Sequence, residues 1–261
     1  MITQLPGIPR IIVVGFLLVG YYYLVKKFLI QIARYFSFHT RSFTTKSKDE
    51  IKGVSELVLI VAGHLCFMLF MLWFSGLSIS ALSLSLEQIP VLIAGIFLGI
   101  SELAISMFAC EIVMAFYESG QTIKTDHSLL KALNLPLIKD SSSWMSSSRG
   151  GWIRHHLTAV RVLPFPIAIV LSSVQVACEE LVFRAILFSV FADFGKFYTI
   201  LVSGAYFVLM QALFMQSKRA AMFPMVGALT MAILHGVLFS QTGYIWPLVI
   251  AHITFFVVTV M

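Results

Sequence analysis

Charged residues and cysteines are both scarce in this sequence. Only 11% of its 261 residues are charged, whereas 59% are hydrophobic. Soluble globular domains carry about 25% charged residues, so this composition excludes an ordinary soluble protein. The three cysteines, Cys66, Cys110 and Cys178, are too dispersed for a CxxC redox pair or a zinc ribbon. The sequence is therefore not that of a soluble domain, and its cysteines do not indicate a redox or zinc site.

The sequence also lacks the alternating segments of about ten residues that build transmembrane β-barrels. Instead it contains apolar runs that are long enough to cross a bilayer as helices, which satisfy their own backbone hydrogen bonds. We predict an all-α polytopic membrane protein with about seven transmembrane helices. The predicted segments are residues 11–25, 56–77, 89–117, 162–177 or 162–191, 197–216, 222–240 and 244–261.

Positive charge is concentrated in alternate loops. Of the 18 lysines and arginines, seven lie in residues 26–52, six in 124–161 and two at 218–219, whereas 78–88 and 241–243 contain none. The positive-inside rule then places the N-terminus outside and the C-terminus in the cytoplasm. This topology accounts for the net charge of +6, so we expect no nucleic-acid partner. We expect the protein to be integral to a bacterial plasma membrane.

The second basic stretch separates two groups of apolar segments. It contains KDSSSWMSSSRGGWIRHH, whose serine and glycine clusters and tryptophans are typical of a connector near the lipid headgroups. We predict an N-terminal three-helix membrane region at residues 1–117, a basic cytoplasmic loop at 118–161 and a C-terminal four-helix core at 162–261. His155 and His156 are expected on the solvated face of this loop.

Four glutamates occur within apolar segments, where a carboxylate costs about 2.5–3.5 kcal/mol to insert. Glu102 and Glu111 are nine residues apart, on opposite faces of one helix. We predict that they pair with another helix or lie near an interface. Their position on a separate segment leaves open whether they reach the other two glutamates.

The remaining pair lies in the stretch CEELVFR. Glu180 and Arg184 have the i, i+4 spacing of a helical ion pair. Glu179 then points about 100° away around the helix, where it can act as a general base on water. A structural salt bridge near a helix end is the alternative interpretation.

This stretch resembles the first motif of the CPBP family, which comprises CAAX prenyl endoproteases and bacteriocin-processing enzymes, also called Abi proteins. That motif is two glutamates, three residues and an arginine, and Glu179, Glu180 and Arg184 match it within EELVFRAIL. The resemblance covers about residues 162–261 and implies a four-helix CPBP-like core.

The other two motifs of the family are matched in part. The second is a phenylalanine, three residues and a histidine, and SGAYFVLMQ supplies Phe207 but has Gln211 at the histidine position. The third is a histidine, three residues and an asparagine after a G-x-x-W-P turn. The stretch TGYIWPLVIAHITFF supplies the turn and His252 but has Phe256 at the asparagine position.

The resemblance implies an intramembrane peptidase in which Glu179 activates water, Glu180 and Arg184 support it, and His252 stabilises the oxyanion. Gln211 can orient a water but cannot take up its proton, and Phe256 cannot donate a hydrogen bond. Two functions therefore stay open. The chain is either an intramembrane endopeptidase or a relative without turnover that acts as a scaffold, a peptide-binding protein or an immunity protein. A proton-coupled transporter is a third hypothesis, although no inverted repeat supports it.

Two intramembrane histidines have no position in these motifs. His235 is expected to pair near a helix end, or to converge with His252 and Glu179 as a replacement base or as ligands of Zn²⁺. The sequence has no HExxH motif, and we expect no required cofactor. His64 is expected to be a satisfied polar group. The expected partner is a membrane-associated peptide or protein substrate, with peptide maturation or bacteriocin immunity favoured by analogy.

Overall fold

The computed structural model describes residues 2–39, 47–125, 154–213, 215 and 218–260. Every regular element in these ranges is helical, which confirms the all-α prediction. The helices are α1 (Gly7–Val19), α2 (Lys26–His39), α3 (Lys48–Ser75), α4 (Ile89–Thr125), α5 (Arg154–Val162), α6 (Phe165–Glu180), α7 (Leu187–Val190), α8 (Lys196–Ala212), α9 (Lys218–Thr242) and α10 (Trp246–Val260).

Five helical stretches of the described chain are long and apolar enough to cross a membrane, which confirms a polytopic membrane protein. They are Gly7–His39, Lys48–Ser75, Ile79–Phe116, Phe165–Val190 and Ala220–Thr242. Helices α8 and α10 have only 17 and 15 residues. At 1.5 Å per residue they are shorter than the hydrocarbon core of about 30 Å.

Two helices run beyond the ends predicted for their segments. A π-helical turn, Gly20–Val25, joins α1 to α2 without a break, so the first segment does not end before Lys26. Lys26 is buried, and its ammonium group lies 5.9 Å from the centre of the Tyr22 ring. Helix α4 likewise continues to Thr125, and most of the predicted connector, residues 126–153, lies outside the described residues.

The end of the predicted connector is the helix α5, which packs on α3 and α6. Arg154 reaches the buried Glu56 of α3 at 3.2 Å. His155 and His156 are buried, and His156 Nδ1 lies 2.9 Å from the hydroxyl of Ser172 on α6. Burial lowers the pKa of His155 to about 3 and holds that of His156 well below its usual range. These contacts correct the expectation that both rings belong to a solvated face.

Helices α4 and α10 pack at backbone contact distance because α4 presents two glycines to α10. A Cβ atom on Gly95 would collide with the carbonyl oxygen of Pro247, and one on Gly99 would collide with that of Ala251. Small residues four apart allow this close approach in membrane helices. The packing fixes the depth and rotation of α10, which carries His252.

The G-x-x-W-P turn sets the start of α10. Gly243 has a φ of 69°, in the left-handed region that glycine enters without strain. Pro247 is the second residue of the helix, where its missing N–H costs no hydrogen bond. The indole N–H of Trp246 donates to the carbonyl oxygen of Leu82 at 2.8 Å, which ties the turn to the segment before α4.

Candidate active site

Glu180 is the centre of a buried ionic cluster at the end of α6. Its Oε1 lies 3.2 Å from Nε of Arg184 and 2.9 Å from Nδ1 of His235, and its Oε2 lies 3.0 Å from Nδ1 of His252. The i, i+4 ion pair predicted from the spacing is thus confirmed. Arg184 lies in a π-helical turn, Leu181–Ile186, and irregular turns of this kind occur often at functional sites. Glu180 joins three helices and is fully buried.

His235 lies between two carboxylates. Its Nδ1 contacts Glu180, and its Nε2 lies 2.8 Å from Oε1 of Glu102 on α4. Glu102 is therefore paired with another helix, as its burial in an apolar segment predicted. The ring is fully buried and does not line the cavity that Glu179 faces.

This arrangement corrects the expectation that His235 converges with His252 and Glu179 as a base or as zinc ligands. Both nitrogens of His235 lie within ion-pair distance of carboxylates other than that of Glu179. Within the described ranges, no group of three or more histidine, cysteine, aspartate or glutamate side chains is placed to hold a metal ion. Glu179, His235 and His252 are therefore not placed as a zinc site in the described structure.

Phe207 fills the space between the arginine and the last helix. The guanidinium carbon of Arg184 lies 4.3 Å from the centre of the Phe207 ring, a cation–π contact. The same ring meets that of His252 edge-on at 5.7 Å. Phe207 is fully buried, so this position of the second motif packs the cluster rather than facing water.

Glu179 faces a small cavity instead of the cluster. The polar lining of the cavity comes from Gln175 and Glu179 on α6, Gln211 on α8 and His252 on α10. Apolar side chains of α6, α9 and α10, including Phe256, complete its walls. The cavity offers the centre of a water molecule about 20 Å³, which is room for one water. The first-motif glutamate and the second- and third-motif positions thus meet at one place.

His64 of α3 also reaches Glu179, a contact that the sequence motifs did not reveal. Its Nε2 lies 3.2 Å from Oε1 of Glu179, an ion-pair distance, although the N–H does not point straight at that oxygen. Its Nδ1 lies 2.9 Å from both the hydroxyl of Tyr21 and the carbonyl oxygen of Ile60. The available signal was a histidine inside an apolar segment, which requires a polar partner.

Phe256 makes the wall of the cavity apolar where the third motif expects asparagine. The ring is 2% exposed and packs with Val176 and Val260. The ring of His156 meets it edge-on at 4.7 Å. The described geometry thus gives position 256 a packing role and leaves Gln211 and His252 as the polar groups opposite Glu179.

The arrangement pairs a carboxylate with an imidazole across a space for one water. Glu180 accepts the Nδ1–H of His252, which orients the imidazole ring. The other nitrogen, Nε2, is then the one available to a ligand. A carboxylate next to a water, with a donor opposite, is the geometry of general-base hydrolysis.

Part of the chain is similar to a known protein family. Residues 161–258 match the family described as type II CAAX prenyl endopeptidase, Rce1-like. No curated protein and no solved structure gives a significant match. The matched residues include Glu179, Gln211 and His252, whereas His64 lies outside them. The chain is therefore a membrane protein whose residues 161–258 are similar to type II CAAX prenyl endopeptidases, the kind of protein that its motifs indicated.

Proposed function

We propose that this protein is an intramembrane endopeptidase that uses water activated by Glu179. The observation that carries the proposal is the cavity with room for one water, lined by Glu179, Gln211 and His252 from three different helices. The similarity of residues 161–258 to CAAX prenyl endopeptidases supports the same reaction class.

The proposed reaction uses only side chains of the cavity. Glu179 takes a proton from the water as its oxygen attacks the peptide carbonyl carbon, and it later passes that proton to the departing amine. His252 donates through Nε2–H to the oxyanion, a role that requires a hydrogen on each ring nitrogen because Nδ1–H bonds Glu180. Gln211 orients the water through its amide. A general base contributes about 10²–10⁴-fold and an oxyanion donor about 10²–10³-fold to the rate. This reaction requires no metal.

The proposed substrate is a membrane-associated peptide or protein, and not a nucleic acid. The apolar walls of the cavity and its position between membrane helices favour a peptide that arrives from the bilayer. We place the N-terminus outside and the C-terminus in the cytoplasm of a bacterial plasma membrane. The distribution of positive charge supports this topology, since 15 of the 18 lysines and arginines lie in three stretches, residues 26–52, 124–161 and 218–219.

Cleavage by protein reconstituted in lipid nanodiscs tests the proposal. The probes are a fluorogenic farnesylated peptide ending in a CAAX sequence and an unprenylated transmembrane peptide. We expect Glu179→Gln and His252→Ala to lower cleavage about 100-fold or more. Glu111→Gln, which removes an intramembrane carboxylate that does not line the cavity, is the matched control and should retain activity. Equal rates for the wild type and both cavity variants would exclude the mechanism.

A relative without turnover is the second candidate function. Phe256 favours it, because its buried ring fills the position of an expected hydrogen-bond donor. In that case the farnesylated peptide binds with the same affinity to the wild type and Glu179→Gln, and neither cleaves it. Fluorescence anisotropy of the peptide on the same nanodiscs measures this binding.

A further inference from the structure

The Glu179 carboxylate receives a contact from outside the matched region. His64 lies on α3, is 2% exposed, and places its Nε2 3.2 Å from Oε1 of Glu179. Gln175, one turn earlier on α6, donates to the same oxygen at 3.4 Å. Both contacts use Oε1, so neither engages Oε2.

The His64 ring is held in place from its opposite side. Nδ1 lies 2.9 Å from the Tyr21 hydroxyl and 2.9 Å from the carbonyl oxygen of Ile60. Tyr21 belongs to the π-helical turn after α1, and its ring stacks on Phe67 of α3 at 4.2 Å between centroids. The imidazole therefore has little freedom to turn away from the carboxylate.

The neighbouring glutamates make their direct contacts with different side chains. Glu180 contacts Arg184, His235 and His252, whereas Glu179 contacts His64 and Gln175. A buried carboxylate is unfavourable unless a charged or hydrogen-bonding partner compensates for its lost hydration. Of these two contacts, only His64 comes from another helix, and Lys26 and His252 attract the Glu179 carboxylate from a longer distance.

We propose that His64 is the positioning residue of the reaction centre, holding Glu179 through Oε1 so that Oε2 faces the water. Tyr21 in turn holds His64. The N-terminal helices that carry Tyr21 and His64 then contribute side chains to the reaction centre. The inference extends the proposed function to residues outside the matched region, and one of its two tests needs no substrate.

The substrate-free test measures the reactivity of the two glutamates. Hydrophobic carbodiimides label the protonated form of a carboxyl group, and mass spectrometry locates the adduct. In His64→Leu, Glu179 loses the imidazole that lies at ion-pair distance from its Oε1, so we expect its labelling to rise about tenfold. Labelling of Glu180 should stay unchanged, because its partners are intact. His64→Gln keeps a neutral donor and should label Glu179 less than His64→Leu does.

A second pair of variants keeps the test valid if His64→Leu does not fold. Tyr21→Phe removes only the hydroxyl that holds His64 and should raise Glu179 labelling by a smaller factor. Tyr206→Phe is its matched control, since it removes a tyrosine hydroxyl that bonds the carbonyl oxygen of Ile11. Unchanged labelling of Glu179 in the folded His64 and Tyr21 variants, or an equal rise at Glu180, would overturn the inference.

The kinetic test uses the farnesylated fluorogenic peptide. Misplacement of a reacting group by about 1 Å costs about 100-fold, so His64→Leu should lower kcat by that factor with little change in KM. His64→Gln should recover much of the loss, which a merely structural role would not require. Unchanged kcat in His64→Leu overturns the inference. If the wild type cleaves nothing but labelling shifts as expected, the proposed function fails and the placement of Glu179 by His64 stands.

Discussion

The adjacent residues Glu179 and Glu180 should respond differently to the same substitution. Changing Glu180 to glutamine removes the charge that faces Arg184, His235 and His252 and turns an amide N–H₂ toward a donor. Breaking a buried ion pair by removing one partner costs about 3–5 kcal/mol. Glu180→Gln should therefore lower the free energy of unfolding by about that amount. His235 keeps Glu102 as a partner, which places the expected loss at the lower end of this range.

Glu179→Gln has a different expected outcome. Glu179 borders the water cavity, and a glutamine there still accepts a hydrogen bond from Gln175. We expect a stability loss of about 1 kcal/mol, the net value of one hydrogen bond, together with the loss of cleavage. The two substitutions thus separate stability from activity at consecutive positions of one helix.

Reversible unfolding in bicelles, followed by tryptophan fluorescence, measures the free energy of both variants. Cleavage of the farnesylated peptide is measured on the same preparations. The reasoning is refuted if Glu180→Gln costs less than about 1 kcal/mol, or if Glu179→Gln costs as much as Glu180→Gln. Either result would mean that the ionic cluster does not hold these helices together.

Three further predictions concern packing and pH. Gly99→Leu should displace α10 with His252 and lower cleavage about 100-fold, whereas Gly20→Leu, whose Cβ meets nothing within 4 Å, should leave cleavage unchanged. Phe256→Asn should lower the free energy of unfolding by about 3 kcal/mol in bicelles, because it removes a buried ring and adds an amide in an apolar cluster. The pKa of His156 is held low by burial, so below pH of about 6.5 the unfolded chain binds a proton that the folded chain does not. The free energy of unfolding should then fall as pH decreases, by up to about 1.4 kcal/mol per pH unit. This decline should be shallower in His156→Leu. Melting followed from pH 7 to 5 measures it.

Local features of this protein were predictable from its sequence. Composition and the length of the apolar runs predicted an all-helical membrane protein because these properties depend on one segment at a time. The Glu180–Arg184 ion pair was predictable for the same reason, since both residues lie on one helix turn. The turn before α10 carries its own signal in Gly243 and Pro247.

Contacts between distant helices were not predictable in the same way. Lys26 and His156 read as members of basic, solvated stretches, yet each is buried by packing against other helices. Such burial depends on which face of a helix meets a neighbour. The composition of a polar stretch does not predict this burial, because a short helix within it, such as α5, can pack against α3 and α6.

The pairing of the intramembrane polar side chains is the feature that was least predictable from the sequence. The cost of placing charge in hydrocarbon requires that each intramembrane carboxylate find a partner, and histidines in other apolar segments are natural candidates. That rule identifies the carboxylates and histidines that need partners, but it does not say which of them pair. Helix packing brings His64 next to Glu179 and places His235 between Glu102 and Glu180. His252 contacts the other oxygen of Glu180. Because the first of these pairs joins α3 to the matched region, the chemistry proposed for Glu179 depends on helices that the family motifs do not include.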